Sequence, residues 1–150
     1  MGRGISNIFL DDVGYSNIDA YGGCFSCDNI PTYTSLPVVY IVNLSEVGHP
    51  GSHFVCLTIS VKRKLVYFDS FGQQCNNAAI LQYMNAVAIK YTYNPIQIQS
   101  LESEYCGLFC LGAAIQYNRT GCLNEFINIF NDQDLARNDI VIVDYITKYI

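Results

Sequence analysis

Residues 53–70 read HFVCLTISVKRKLVYFDS. Two runs rich in β-branched and aromatic residues, 53–61 and 64–70, are joined by a basic cluster, Lys62-Arg63-Lys64. Strand-forming runs on either side of a charged, solvated turn predict a β-hairpin. If the two strands pair, their far ends lie side by side, and His53 and Asp69 become neighbours. A carboxylate beside an imidazole holds one tautomer and stabilises the imidazolium, which is the arrangement a general base needs. The group on which that base acts has to be sought elsewhere in the chain.

Working upstream, VVYIVN (38–43) reads as a buried strand and GHPGS (48–52) as a turn. Residues 1–37 are rich in Gly, Asn, Asp and Pro and predict an irregular approach segment. Downstream, Ile80, Leu81, Met84, Val87 and Ala88 recur at helical intervals after an Asn cap, predicting a helix from Asn77 to about Tyr91. Pro95 stops any helix, and IQIQS (96–100) alternates like a strand. A further helix should start at or just before Cys106 and run to about Tyr117. A short one should follow at 123–130 and a last one near 134–149, with Ile140, Val143 and Ile146 facing the core. The order implies one α+β domain over 1–150, a small sheet with helices packed on it.

Composition sets the outer limits. The chain has 150 residues, 51% hydrophobic and 14% charged, with 12 Tyr and 8 Phe, enough for a folded core. No apolar run approaches the roughly 20 residues that span a bilayer. The formal charge of −5 argues against broad phosphate binding and a nucleic-acid partner. MGRGISNIF lacks the apolar stretch of a signal peptide, so a reduced intracellular setting is expected for the seven cysteines. The same stretch matches the short myristoylation pattern at Gly2 and Ser6.

The cysteines offer the missing reactive group. In EYCGLFC (104–110), Cys106 stands where the predicted helix begins, and backbone N–H groups and the helix dipole there favour an anionic side chain. Gly107 would let a substrate carbonyl come close, and Cys110, one turn later, reads as a small buried hydrophobe. Cys56 and Cys122 read as core. Of the two histidines, His53 opens a strand and can be held rigidly, whereas His49 lies in a Gly-Pro turn. An oxyanion would be met by the Cys106 N–H and a side-chain amide, for which Gln97 and Gln99 are both placed. A zinc site from Cys24, Cys27, His49 and His53 is formally possible, but a second closely spaced ligand pair is missing.

The order His, Asp, Gln, Cys resembles that of the adenovirus-type maturation proteases and of the SUMO-specific proteases that share their fold. IVNLSEVGHPGSHF (41–54) is similar to the family's segment of Asn, Gly, then His followed by an aromatic. YFDSFG (67–72) is close to its acid motif, and QSLESEYCGLFC (99–110) resembles its closing block, in which a Gln precedes the nucleophile by seven residues. GGCFSCDNIP (22–31) resembles an upstream segment found in maturation proteases of large DNA viruses. The likeness covers about residues 20–117.

What the resemblance implies is a papain-like/adenain-like core with the nucleophile at a helix N-terminus, and a cysteine endopeptidase acting through Cys106, His53 and Asp69. By its spacing Gln99 is the oxyanion residue and Gln97 the second choice, while Asp28, Gly51 and Ser52 border the substrate groove. The expected substrates are viral capsid or core precursor polypeptides, cut after small residues in the infected cell and the virion. Removal of ubiquitin-like modifiers is the alternative. The chain departs from the family at Phe54, where Trp is usual, in its acidic charge, and in having only Cys75 between acid and Gln. These argue against a DNA cofactor and a disulfide-linked activator peptide, and no other cofactor or metal is implied.

Overall fold

A computed structural model describes residues 6–33, 35–49 and 51–150. The Gly2 acylation pattern therefore lies outside the described residues. Eight elements surround the site: α1 (Asn7–Asn17), β1 (Tyr21–Ser26), β2 (Val38–Asn43), β3 (Phe54–Ile59), β4 (Lys64–Phe68), α2 (Ala78–Val87), β5 (Lys90–Tyr93) and α3 (Cys106–Thr120). A single turn, α4 (Asn124–Ile127), and α5 (Asn138–Thr147) complete the chain. The strands form one five-stranded sheet in sequence order. The two inner pairings, β2–β3 and β3–β4, are antiparallel, and the outer two are parallel. The expected α+β architecture, a mixed sheet flanked by helices, is the one observed.

The sheet is covered on both faces, which is why β2 and β3 read as continuous apolar runs. Val39, Ile41, Cys56 and Phe68 face α1, α3 and α5, together with Leu10, Phe109, Phe126 and Ile142. Val38, Tyr40, Val42, Val55, Leu57 and Tyr67 face α2 and its Ile80 and Met84. Burying each large side chain of this kind contributes about 1.5–3 kcal/mol. The central helix α3 is buried without interruption from Cys106 to Gln116, so it has no polar stripe to betray its helical period. It ends at Gly121, whose φ of 70° is the left-handed cap that terminates helices.

Among the described residues the approach segment is regular over Asn7–Asn17 and Tyr21–Ser26, and irregular, as expected, over 27–33 and 35–37. Ser6 caps α1 by accepting the Phe9 N–H at 3.2 Å, and β1 pairs with β2. The glycines that suggested loop instead allow close packing: a Cβ on Gly14 would lie 2.5 Å from the Tyr21 ring, and one on Gly22 2.4 Å from Tyr40. The 96–100 segment is not a strand; the fifth strand is Lys90–Tyr93, and α2 stops at Val87 to make room for it. Arg63, at φ 60°, turns the hairpin and its Nε donates to the last α2 residue's carbonyl, Val87 O, at 2.9 Å. In α5, Ile142 and Ile146 are buried while Ile140 and Val143 are exposed, because the helix starts later and turns a different face inward than expected. Cys122 is exposed, beside the α3 cap, and not in the core.

Candidate active site

The hairpin delivers the first two groups. Cys56 pairs with Phe68, and continuing that register three residues puts His53 opposite Phe71. The imidazole accordingly stacks on the Phe71 ring, with centroids 4.6 Å apart and planes 16° from parallel. The His53 Nε2 lies 2.8 Å from Asp69 Oδ1. That carboxylate oxygen also accepts the Phe71 backbone N–H at 2.9 Å, so its position is set by the chain that follows it. Phe54, where Trp is usual in the family that the sequence resembles, does not stack on the imidazole. Its ring instead packs into the α3-side core, and Phe71 takes the walling role.

The turn after Asp69 is tight. The Gly72 N–H donates to Asp69 O at 2.8 Å, and Gly72 has φ 73°. A Cβ there would sit 2.6 Å from the Gln97 backbone nitrogen, so only glycine lets the acid's turn lie against the 96–99 segment. Across that contact, Ser70 O accepts the N–H groups of Ile98 and Gln99 at 2.9 and 3.1 Å.

Cys106 is the first residue of α3 and only 1% exposed. Its Sγ accepts the Phe54 backbone N–H at 3.5 Å and lies close enough to His53 to help raise the imidazole's pKa. Since Asp69 holds Nε2, Nδ1 is the ring nitrogen left for the thiol. Burial of His53 by itself disfavours the imidazolium. The hydrogen bonds and negative charges of Asp69 and Cys106 together outweigh it, and the pKa is pushed up to about 9. A proton on this imidazole is thus held more firmly than on a free histidine. The protonated ring can stabilise a thiolate and can give its proton to a leaving group.

Gln99 is buried, its carboxamide Nε2 donating to Ser103 O at 3.0 Å and its Oε1 accepting from the Ser70 hydroxyl. Gln97 is exposed and donates only to the Gln99 carbonyl at 2.9 Å, so of the two it is Gln99 that the fold places inside. Ser103 is fixed in turn, its hydroxyl donating to Asp139 at 2.6 Å and accepting the Tyr105 N–H at 3.2 Å. The fully buried Asn138 donates to Ile98 O at 2.8 Å. Helix α5 therefore anchors the segment that carries Gln99 into α3, a role its sequence gave no signal of.

Asp28, Gly51 and Ser52 gather around the β2–β3 loop that leads into His53. Asp28 Oδ1 accepts the Val47 N–H at 2.9 Å. Asn43 Oδ1 accepts the N–H groups of Ser45 and Ser52 at 2.8 and 3.3 Å, and the Ser45 hydroxyl donates to that of Ser52 at 3.0 Å. Gly51 lies against Asn43, where a Cβ would meet the amide at 2.8 Å. In the structure these residues shape the loop, and Asn43 is its hub. Gly107 differs from expectation: its missing side chain makes room for Leu10 and Phe54, at 3.2 and 3.4 Å from an added Cβ, so it serves packing.

The other cysteines stand apart. Cys24 packs on the α3 side of the sheet and Cys27 on the α2 side, so the pair does not converge on one ligand. His49 is exposed in its turn. Among the described residues, no group of three or more His, Cys, Asp and Glu side chains converges in a way that could hold a metal ion. Burial pushes the Cys24 thiol up to about 12, and those of Cys56 and Cys110 well up as well.

No protein-family model matches the sequence, and no curated protein matches it. Solved structures do match in fold, among them the following two. AvrA delL154 with IP6 and CoA gives a TM-score of 0.50 at 16% identity, over 81% of this chain and 49% of that one. The selenomethionine form of the ASFV pS273R protease gives 0.49 at 17%, over 65% and 40%. The chain spans less than half the length of either. The shared fold is a central mixed five-stranded sheet flanked by helices.

Proposed function

We propose that the chain is a cysteine endopeptidase. The observation that carries this reading is a single imidazole held between Asp69 and a cysteine at a helix N-terminus. His53 takes the Cys106 proton on Nδ1, and the thiolate attacks the scissile carbonyl carbon. The tetrahedral oxyanion is met by the Cys106 backbone N–H and the Gln99 carboxamide N–H. As the C–N bond breaks, His53 returns the proton to the leaving amine, and water then hydrolyses the thioester. Asp69 keeps the ring in the tautomer and orientation both transfers require.

The proposed substrates are capsid or core precursor polypeptides of a virus, cleaved in the infected cell and in the assembling virion, with Asp28, Gly51 and Ser52 bordering the groove. The likeness of three motifs to the adenovirus-type proteases supports this. So does the near-complete burial of Cys106, which favours a scissile residue with little side chain. The acidic chain argues against DNA as a cofactor. A second reading, release of ubiquitin-like modifiers, is supported by the His, Asp, Gln, Cys order, which resembles that of the SUMO-specific proteases. Incubating the protein with precursor polypeptides and with a ubiquitin-like modifier fusion, each beside the Cys106→Ala variant, tests both. Cleavage only of the fusion would replace the first reading by the second.

A further inference from the structure

The geometry points to Ser70 as a positioning residue that sets the orientation of the Gln99 carboxamide for oxyanion binding. This rests on the cysteine-peptidase reading above. Ser70 is fully buried, immediately follows the acid Asp69, and touches none of the reacting groups. Its hydroxyl donates to Gln99 Oε1, and its carbonyl accepts the Gln99 and Ile98 N–H groups.

The orientation of the amide follows from what each neighbour is able to do. Ser103 O is a carbonyl and can only accept, so the end of the carboxamide facing it must be the NH₂. The Oε1 end must then face Ser70, whose hydroxyl donates. With Oε1 held and one N–H on Ser103 O, the second N–H of Nε2 has no protein partner among the described residues. An unspent amide donor of fixed direction is what an oxyanion site requires. Without the Ser70 hydroxyl, Oε1 is left buried and unpaired, and Ser103 O alone holds the amide, which can then tilt so that its free N–H no longer aims at the oxyanion. Because Asp69 and Ser70 are adjacent, one short turn places both the imidazole and the oxyanion donor.

Three measurements on the full chain test this, with wild type, Ser70→Ala, Ser70→Cys, Gln99→Ala and the Ser70→Ala/Gln99→Ala double variant. Loss of an oxyanion donor costs about 10²–10³ in kcat, so Ser70→Ala should lower kcat by about tenfold or more at unchanged KM. Ser70→Cys, which keeps the shape with a weaker donor, should fall between. Adding Ser70→Ala to Gln99→Ala should change kcat by less than about twofold, since both remove the same interaction. Iodoacetamide alkylates Cys106 by displacing iodide and develops no oxyanion. Its rate should therefore be unchanged in Ser70→Ala, while inhibition by a peptide aldehyde ending in Gly-Gly weakens about as much as kcat falls. Additive losses in the double variant, an unchanged kcat, or an equal fall in alkylation rate would overturn the proposal. If the wild type neither cleaves peptide nor binds the aldehyde, it is the peptidase reading that fails first, and the Ser70 role falls with it.

Discussion

His53 and Asp69 meet at 2.8 Å because β3 and β4 pair with Cys56 opposite Phe68, which brings the residues just beyond both strand ends into one layer. The His53–Asp69 geometry is thus a consequence of hairpin register. A slip of one residue would turn His53 to the other face of the sheet.

The imidazole's charge makes stability depend on pH. An unfolded histidine titrates near 6.5, whereas His53 in the fold is raised to about 9. The proton is bound more tightly in the native state, so its stabilising contribution is complete below about pH 6.5 and is lost as pH rises through about 9. At about 1.4 kcal/mol per unit the contribution is on the order of 3 kcal/mol. Urea melts at pH 6.5 and 9.5 should show this fall in the wild type, and His53→Gln should lessen it, leaving the part due to the buried Cys24, Cys56 and Cys110 thiols.

Replacing Asp69 by Asn keeps the shape but removes the charge. The Phe71 N–H holds the amide oxygen toward the imidazole, so the ring keeps its acceptor and loses the carboxylate that stabilises the imidazolium. kcat should fall by about 10² with little change in KM. Steady-state kinetics on a cleaved peptide measures both.

Phe71 supports the ring from its face. Phe71→Ala should leave His53 tethered by Asp69 alone and lower kcat by about tenfold, since misplacement of a catalytic group by about 1 Å costs up to 10². Phe71→Tyr, which preserves the stack, should restore most of it.

The hairpin, the α2 cap at Asn77 and the start of α3 were legible in the sequence, because each carries a local pattern: a turn cluster, an Asn cap, a Cys-Gly step. Gln99 was separated from Gln97 only by the spacing that the resemblance implies. The amino-terminal α1 and β1 were not. Their contacts use glycine in place of apolar side chains, as at Gly14 against Tyr21 and Gly22 against Tyr40, and this removes the periodicity. The 96–100 segment alternates as a strand does, yet its backbone partner is Ser70 O and not a neighbouring strand. Phe71, Ser70 and Asn138 could not be singled out, since their roles depend on contacts made across the fold. For Phe71 and Ser70 the only sequence signal was adjacency to Asp69.

Helix α3 is packed to its limit at Gly112, where a Cβ would lie 2.7 Å from the Phe126 ring and 2.9 Å from Ile142. Gly112→Ala should therefore destabilise by about 1–3 kcal/mol despite alanine's better helix propensity. Thermal melts read this directly.

Cys110 lies one turn beneath Cys106, fully buried, its thiol pushed well above the usual range by burial. Cys110→Ala should cost about 1 kcal/mol of stability and spare activity, and iodoacetamide should label Cys106 in preference to it. Denaturant melts and peptide mapping after alkylation separate the two cysteines.

The central claim is that Cys106 is the nucleophile of a peptidase. Cleavage of virion precursor polypeptides by wild type and by Cys106→Ala, compared on one gel at equal folded protein, tests it most directly. The account predicts discrete products with the wild type and none with the variant. Equal cleavage by Cys106→Ala would contradict it.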